Sequence, residues 1–273
     1  MPHFDLSQHA HASETIERSA LASLHAHCPD DTREELGLFL EEVGDTLVAG
    51  ASHDGSILLN RALGLGTRER ADAARVEDVR AVYKRRGVSR YFMHVYPDTL
   101  EGYPGALEGA ALERARGWMK FSRGDAPALV RDTELRVERV RDEAAAAHFG
   151  RIVAGGFGMT EAAGPLLAGM VQDPRWHLYL SRAGDEPAGA GALFVEGTSA
   201  FFEWGATDPA FRRRGSQGAV MTARIEAALE LGCTQMFTET GEAVGDDPQH
   251  SYGNIVRYGF EPSILRENWA PPK

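Results

Sequence analysis

Arg212, Arg213 and Arg214 stand side by side immediately before Gly215-Ser216-Gln217-Gly218, a pattern well suited to holding an anion. From Ala219 onward, Met221, Ile225 and Leu229 recur on one stripe, which predicts a helix that opens at these glycines and stops at Gly232. The N–H groups of a helix's first turn have no intrahelical partner and carry the positive end of its dipole, so a phosphate can accept several hydrogen bonds there. Glycine permits close approach, and the arginines add charge-assisted contacts. Taken alone, such a turn with solvated arginines would be an ordinary surface loop. No Gly-Lys-Ser/Thr is present for a Walker cradle, and the dinucleotide pattern Gly-x-Gly-x-x-Gly is also missing. A different phosphate cradle remains.

The rest of the composition narrows the partners. With 29 basic and 40 acidic residues among 273, the formal charge is −11, which repels phosphate backbones and suits a cationic small molecule. No apolar run approaches the length of a membrane span, and the N-terminus reads as neither signal nor anchor, so a cytoplasmic protein is expected. Cys28 and Cys233 have no spacing for metal or redox work. The pairs His9/His11 and His25/His27 lie two apart, which on a helix sends the side chains to different faces, so no metal site is expected. Asp246 and Asp247 could attract an ammonium group, although a solvated turn is the better explanation of them.

These residues need a scaffold, and the periodicity supplies one. Ile16, Ala20, Leu21, Leu24 and Cys28 predict a helix over 14–28. Apolar runs at 46–52 and 56–66 flank Asp54-Gly55 and read as a hairpin. A helix from about 73 closes at Arg85-Arg86-Gly87, then a strand at 91–96, a helix over 106–115 and a strand at 118–123 follow. Turn formers at Gly124–Pro127 mark a boundary between domains 1–126 and 127–273. Beyond it come strands at 177–184, 187–197 and 199–207, the helix after Gly218, a strand at 234–240, a short helix near 250–258 and a terminal strand. The halves share an order of elements, which suggests an internal duplication.

Arg212, Gly215 and Gln217, with Gly218 immediately after, resemble the signature of the GNAT superfamily of acetyl-CoA-dependent N-acetyltransferases: Arg or Gln, two residues, Gly, one residue, Gly or Ala. The likeness extends over residues 131–267, including an acidic strand before the signature and Gly259-Phe260 after the last helix. Gln217 departs from the family's small residue. The resemblance implies an α/β fold of the mixed-sheet α+β type, with two tandem GNAT-like domains, each a mostly antiparallel mixed sheet flanked by helices. The corresponding loop at 63–70 lacks an arginine before paired glycines, so the first domain is expected to be a degenerate copy and the second to bind the cofactor.

Further expectations follow from that resemblance. Acetyl-CoA is the cosubstrate, with Arg212, Arg213, Arg214, Gly215, Ser216, Gln217, Gly218 and Ala219 at its pyrophosphate and Asn254 as a contacting amide. The strand ending at Thr207 bulges away from its neighbour, so the backbone of Gly205, Ala206 and Thr207 pairs with the pantetheine arm and polarises the thioester. An alkyl amine is mostly protonated at neutral pH, with a pKa of about 10.4, so transfer needs a base. Glu203 is the candidate, its carboxyl desolvated by Phe201, Phe202 and Trp204. The family's usual tyrosine acid is replaced by Ile255, leaving Tyr252 and Tyr258 as nearby substitutes. The expected activity is N-acetyl transfer to a primary amine of a small molecule; nucleic acid and membrane are not expected partners, and a homodimer is a possible assembly. The competing readings are an acyl-CoA-binding regulatory module without turnover, and a binder of other nucleotide phosphates.

Overall fold

The computed structural model describes residues 8–130, 132–245 and 249–272, with the side chains of Gln8 and His9 excluded. His9, Asp246 and Asp247, considered above, therefore lie outside the described side chains. The first half runs α1 (Gln8–Ala26), α2 (Asp30–Leu36), β1 (Leu38–Val43), β2 (Thr46–Ala51), β3 (Arg61–Leu63), α3 (Ala73–Arg85), β4 (Phe92–Val95), α4 (Gly105–Gly109) and β5 (Glu113–Arg123). The second runs β6 (Arg136–Arg139), α5 (Glu143–Phe157), α6 (Ala163–Gly169), β7 (Trp176–Ala183), β8 (Glu186–Glu196), β9 (Ser199–Thr207), α7 (Ser216–Glu230), β10 (Gln235–Gly241), α8 (His250–Arg257) and β11 (Glu261–Ala270). From the first hairpin onward the orders match: β1-β2-β3-α3-β4-α4-β5 against β7-β8-β9-α7-β10-α8-β11.

The α/β architecture with a mixed, mainly antiparallel sheet is present, but the two expected sheets are joined into one. Its order is β1-β2-β3-β4-β11-β5-β10-β9-β8-β7-β6, with β3–β4 and β9–β10 parallel and the other pairs antiparallel. The last strand of each half is placed in the other: β11 lies beside β4, and β5 lies beside β10. Alternation along the strands divides the core between the two faces. In β9, Phe201 faces α1, α5 and α6 while Phe202 faces α7 and α8. The first of these faces is a single core that spans both halves, whereas the opposite face carries one core under α3 and α4 and another under α7 and α8.

Three local expectations are corrected. The first hairpin turns at Gly44-Asp45, pairing β1 with β2, rather than at Asp54-Gly55. Residues 52–60 form a loop instead: the Asn60 amide oxygen accepts from Ala51 N–H at 2.7 Å, and Asp54 Oδ2 accepts from the Thr160 N–H and hydroxyl of the other half at 2.9 and 2.7 Å. Those long-range partners override the turn preference of Asp-Gly. The helix expected over 106–115 is confined to Gly105–Gly109, because β5 begins at Glu113 to pair with β11. Helices α5 and α6 escaped a strand-centred reading. Asp142 caps α5 by accepting from Ala145 N–H at 2.8 Å, and Gly158 ends it with φ +65°. No helix of the described residues is long and apolar enough to cross a membrane.

Candidate active site

β9 and β10 pair in parallel from Ser199–Gln235 to Phe202–Thr238, and their pairing ends there among the described residues. Both strands continue, to Thr207 and Gly241, so a V-shaped opening begins at Glu203 on one side and Glu239 on the other. The cause is a β-bulge. Opposite β8 the register jumps from Glu203–Ala192 to Ala206–Ala190, with Trp204 at φ +56° inside the irregularity. Arg224 of α7 pins it from behind, donating to the carbonyls of Ala192 at 3.0 Å and Glu203 at 3.2 Å. Gly191 is required beside it, because a Cβ there would lie 2.6 Å from Val220 Cγ1. On the opposite face, α5 comes down onto the bulge through Gly156, and the Phe157 ring stands edge-on to Trp204 at 5.9 Å. The β10-facing backbone of Gly205, Ala206 and Thr207 is thus left without strand pairing on that side.

At the head of α7, Gly215 is the N-cap with φ +85° and no side chain caps the helix. The N–H of Ala219 is engaged by the Gly215 carbonyl at 3.0 Å, so the amides turned outward are those of Ser216, Gln217 and Gly218, and the expectation for Ala219 narrows accordingly. The Ser216 hydroxyl points inward to Ser181 Oγ at 2.8 Å. Gln217 donates from Nε2 to Thr207 Oγ1 at 3.2 Å, which carries its side chain from the helix to the bulged strand. Arg212, Arg213 and Arg214 are exposed around the turn, and the Thr133 hydroxyl fixes it by donating to the Arg214 carbonyl at 3.0 Å.

The equivalent turn of the first half is closed by carboxylates. Asp72 caps α3, accepting from Arg75 N–H at 3.0 Å. Asp45 accepts from the N–H groups of Gly66, Arg68 and Glu69 at 3.4, 3.0 and 3.3 Å and pairs with Arg75 at 3.3 Å. An intramolecular anion thus fills the position that an external one would need.

Glu203 is not solitary at the opening. Its Oε1 accepts from Arg61 Nη2 at 2.8 Å, and Arg61 Nη1 lies 3.3 Å from Glu17 and 3.7 Å from Glu239. Lys120 bonds Glu17 and also Glu239, the latter at 3.0 Å. Arg266 reaches Glu14 at 2.9 Å, Glu17 at 2.7 Å and Glu239 at 2.8 Å. These residues come from α1, β3, β5, β9, β10 and β11, and Trp118 covers them, with Arg61 and Arg266 5.8 and 5.7 Å from its ring centre. Burial raises the Glu203 carboxyl to about 7, against the opposing pull of Arg61. Glu17, wholly buried, is held well below the usual carboxylate range: burial pushes it up, but Arg266, Lys120 and Arg61 outweigh that. Glu203 and Glu239 are the members that reach solvent, at 13% and 11% side-chain exposure.

Tyr258 and Tyr252 lie on the other face. The Tyr258 hydroxyl is buried against Gly218, where an added Cβ would meet it at 2.3 Å, and has no hydrogen-bond partner among the described residues. Tyr252 is half-buried, edge-on to Phe121 at 4.9 Å, and Asn254 is half-buried on the same helix, α8. The structure therefore brings Glu203 and the α7 turn to opposite ends of the open stretch of β9 and sets both tyrosines across the sheet from the Glu203 carboxyl. Sequence reasoning missed Arg61, Lys120, Glu17, Glu239, Arg266 and Arg224. Of these, Glu239 alone carried a signal, since it stands on the strand parallel to β9.

Comparison with known proteins agrees with this geometry. Residues 126–242 match the model of the acetyltransferase (GNAT) domain. A search of curated protein sequences finds no match. Among solved structures, a GCN5-related N-acetyltransferase from Kribbella flavida superposes with a TM-score of 0.65 at 14% identity, covering 96% of each chain. One from Sphaerobacter thermophilus gives 0.60 at 10% identity, over 84% of this chain and 81% of that one. A tandem GNAT protein from the clavulanic acid biosynthesis pathway gives 0.57 at 13% identity, over 82% and 77%. Residues 126–242 are thus similar to a GNAT acetyltransferase domain, and the chain as a whole has the fold of these solved GNAT proteins.

Proposed function

We propose that this protein transfers an acetyl group from acetyl-CoA to a primary amine of a small molecule, by direct attack within a ternary complex. The observation that carries the reading is the pair of features on β9: a buried carboxyl, Glu203, at the apex of the opening, and an uncapped helix N-terminus beside the strand's far end. The residues present fit acetyl-CoA. The amides of Ser216, Gln217 and Gly218 and the exposed Arg212, Arg213 and Arg214 would hold its pyrophosphate, and the open backbone of Gly205, Ala206 and Thr207 its pantetheine arm. When bound, it supplies an acyl carbon activated by a thiol leaving group. The Tyr258 hydroxyl, buried at Gly218, faces the same turn.

The acceptor arrives as an ammonium ion, drawn by the carboxylates at the opening. Glu203 takes its proton, directly or through one water; the C–N bond then forms as the C–S bond breaks, and the second proton lost by the nitrogen passes to the departing thiolate. With a carboxyl near 7 and an amine near ~10.4, the proton transfer is uphill by about 5 kcal/mol. That lies well inside the barrier of roughly 17 kcal/mol that corresponds to one turnover per second. A thiol, at about 8.5, is acidic enough to leave without a general acid, which suits a site in which both tyrosines lie across the sheet from Glu203.

The test is acetyl-CoA consumption across a panel of amines, with Glu203→Gln as the control. Turnover that falls at least about a hundredfold while coenzyme A affinity is unchanged supports the assignment. Binding without turnover on any amine would make the protein a regulatory module instead.

A further inference from the structure

Glu203 belongs to the second half, yet the side chain that grips it belongs to the first. Arg61 opens β3, is 1% exposed, and donates one guanidinium nitrogen to Glu203 and the other to Glu17. We infer that Arg61 is a positioning residue for Glu203, holding its carboxylate at the mouth of the β9–β10 opening and setting the pH at which it can accept a proton. This rests on Glu203 acting as the base proposed above. It gives the first half, whose own anion turn is filled by Asp45 and Asp72, a direct part in the chemistry of the second.

The geometry favours this over a merely structural ion pair. Among the described residues the cluster holds four carboxylates, Glu14, Glu17, Glu203 and Glu239, against three cations, Arg61, Lys120 and Arg266. One negative charge is uncompensated. Glu14 and Glu17 are almost wholly buried and Glu239 is bonded to both Lys120 and Arg266, whereas Glu203 has Arg61 as its cationic partner within salt-bridge distance. The excess charge therefore falls on Glu203, the group that reaches the opening. The charged groups facing it are Arg61 from β3, Glu17 from α1 and Glu239 from β10, with Lys120 of β5 and Arg266 of β11 behind them; Arg224 of α7 meets its carbonyl from the opposite face. A proton or a substrate ammonium ion neutralises the same excess, so Arg61 tunes acceptor capture and proton abstraction together.

Arg61→Met removes the cation, and Arg61→Lys keeps the charge but loses the two-pronged grip, so the second variant remains folded if the first does not. An opposite charge this close lowers a carboxyl pKa by about 1–3 units. The Glu203 midpoint should thus rise by at least about one pH unit in Arg61→Met, a tenfold change in proton affinity, and by less in Arg61→Lys. It is read without turnover, as the protonated-carboxyl infrared band that disappears in Glu203→Gln. The acid limb of kcat/KM for the amine should move up in parallel, with the rate recovered at higher pH and coenzyme A affinity unchanged. A midpoint that stays put in the folded variants overturns the role of Arg61. Undiminished turnover by Glu203→Gln, with the infrared midpoint still displaced by the Arg61 variants, would instead overturn the base assignment.

Discussion

Glu203, half-buried, and His25, fully buried, give the protein opposite responses to pH. The Glu203 carboxyl is raised from 4.5 to about 7, so the stability tied to its protonated form is complete below about 4.5 and is lost as pH rises through about 7. His25 is lowered from 6.5 to about 3 by burial and then by Arg33 and Arg61. Its neutral form is favoured in the fold, so stability is lost as pH falls from about 6.5 toward 3. Neither of its ring nitrogens has a hydrogen-bond partner among the described residues, a state that costs about 1–3 kcal/mol per group. His25→Leu should therefore raise the urea midpoint at pH 7 and flatten the loss of stability on acidification. An unchanged or steeper acid limb would contradict this. Glu203 itself was legible, because the strand before an anion turn and three flanking aromatic residues single it out. Its partner Arg61 was not: 142 residues separate them, and no local pattern marks an arginine that meets its carboxylate only after the sheet has closed.

At the level of elements, the two helix N-termini differ in who occupies them. α3 has Asp72 and Asp45, while α7 has Gly215 and three exposed arginines. Replacing Arg212, Arg213 and Arg214 by alanine should weaken coenzyme A binding at least about tenfold and reduce its salt dependence, with little change in Tm because the side chains are exposed. Calorimetry checks this and should return one coenzyme A per chain; an unchanged affinity would move the site elsewhere. The α7 turn was readable from its glycines, since backbone access is written in residue type. The bulge was expected from the family resemblance alone and has no local signal, because it depends on Arg224 reaching two carbonyls across the sheet and on Gly191 making room. The misplaced first hairpin has a similar origin: Asp-Gly is a turn signal, but Thr160 of the other half holds Asp54 in a loop.

For the whole molecule, the exchange of β5 and β11 ties the halves more closely than a linker would. β5 supplies the neighbour of β10, and β11 the neighbour of β4, while the Glu203 cluster draws on strands from both halves. Fragments 1–126 and 127–273 should therefore lack the cooperative unfolding of the full chain when separate and regain it when mixed. A second fragment that melts like the intact protein and binds coenzyme A equally well would refute that dependence. The repeated order of elements was visible in the sequence, whereas the exchange was not, because either partner satisfies a terminal strand's alternation equally well. The most direct measurement of the central claim is a crystal structure with acetyl-CoA bound. The pyrophosphate should accept from the amides of Ser216, Gln217 and Gly218, and the thioester should lie in the β9–β10 opening within reach, directly or through one water, of Glu203. A cofactor bound elsewhere, or a thioester turned away from Glu203, would contradict it.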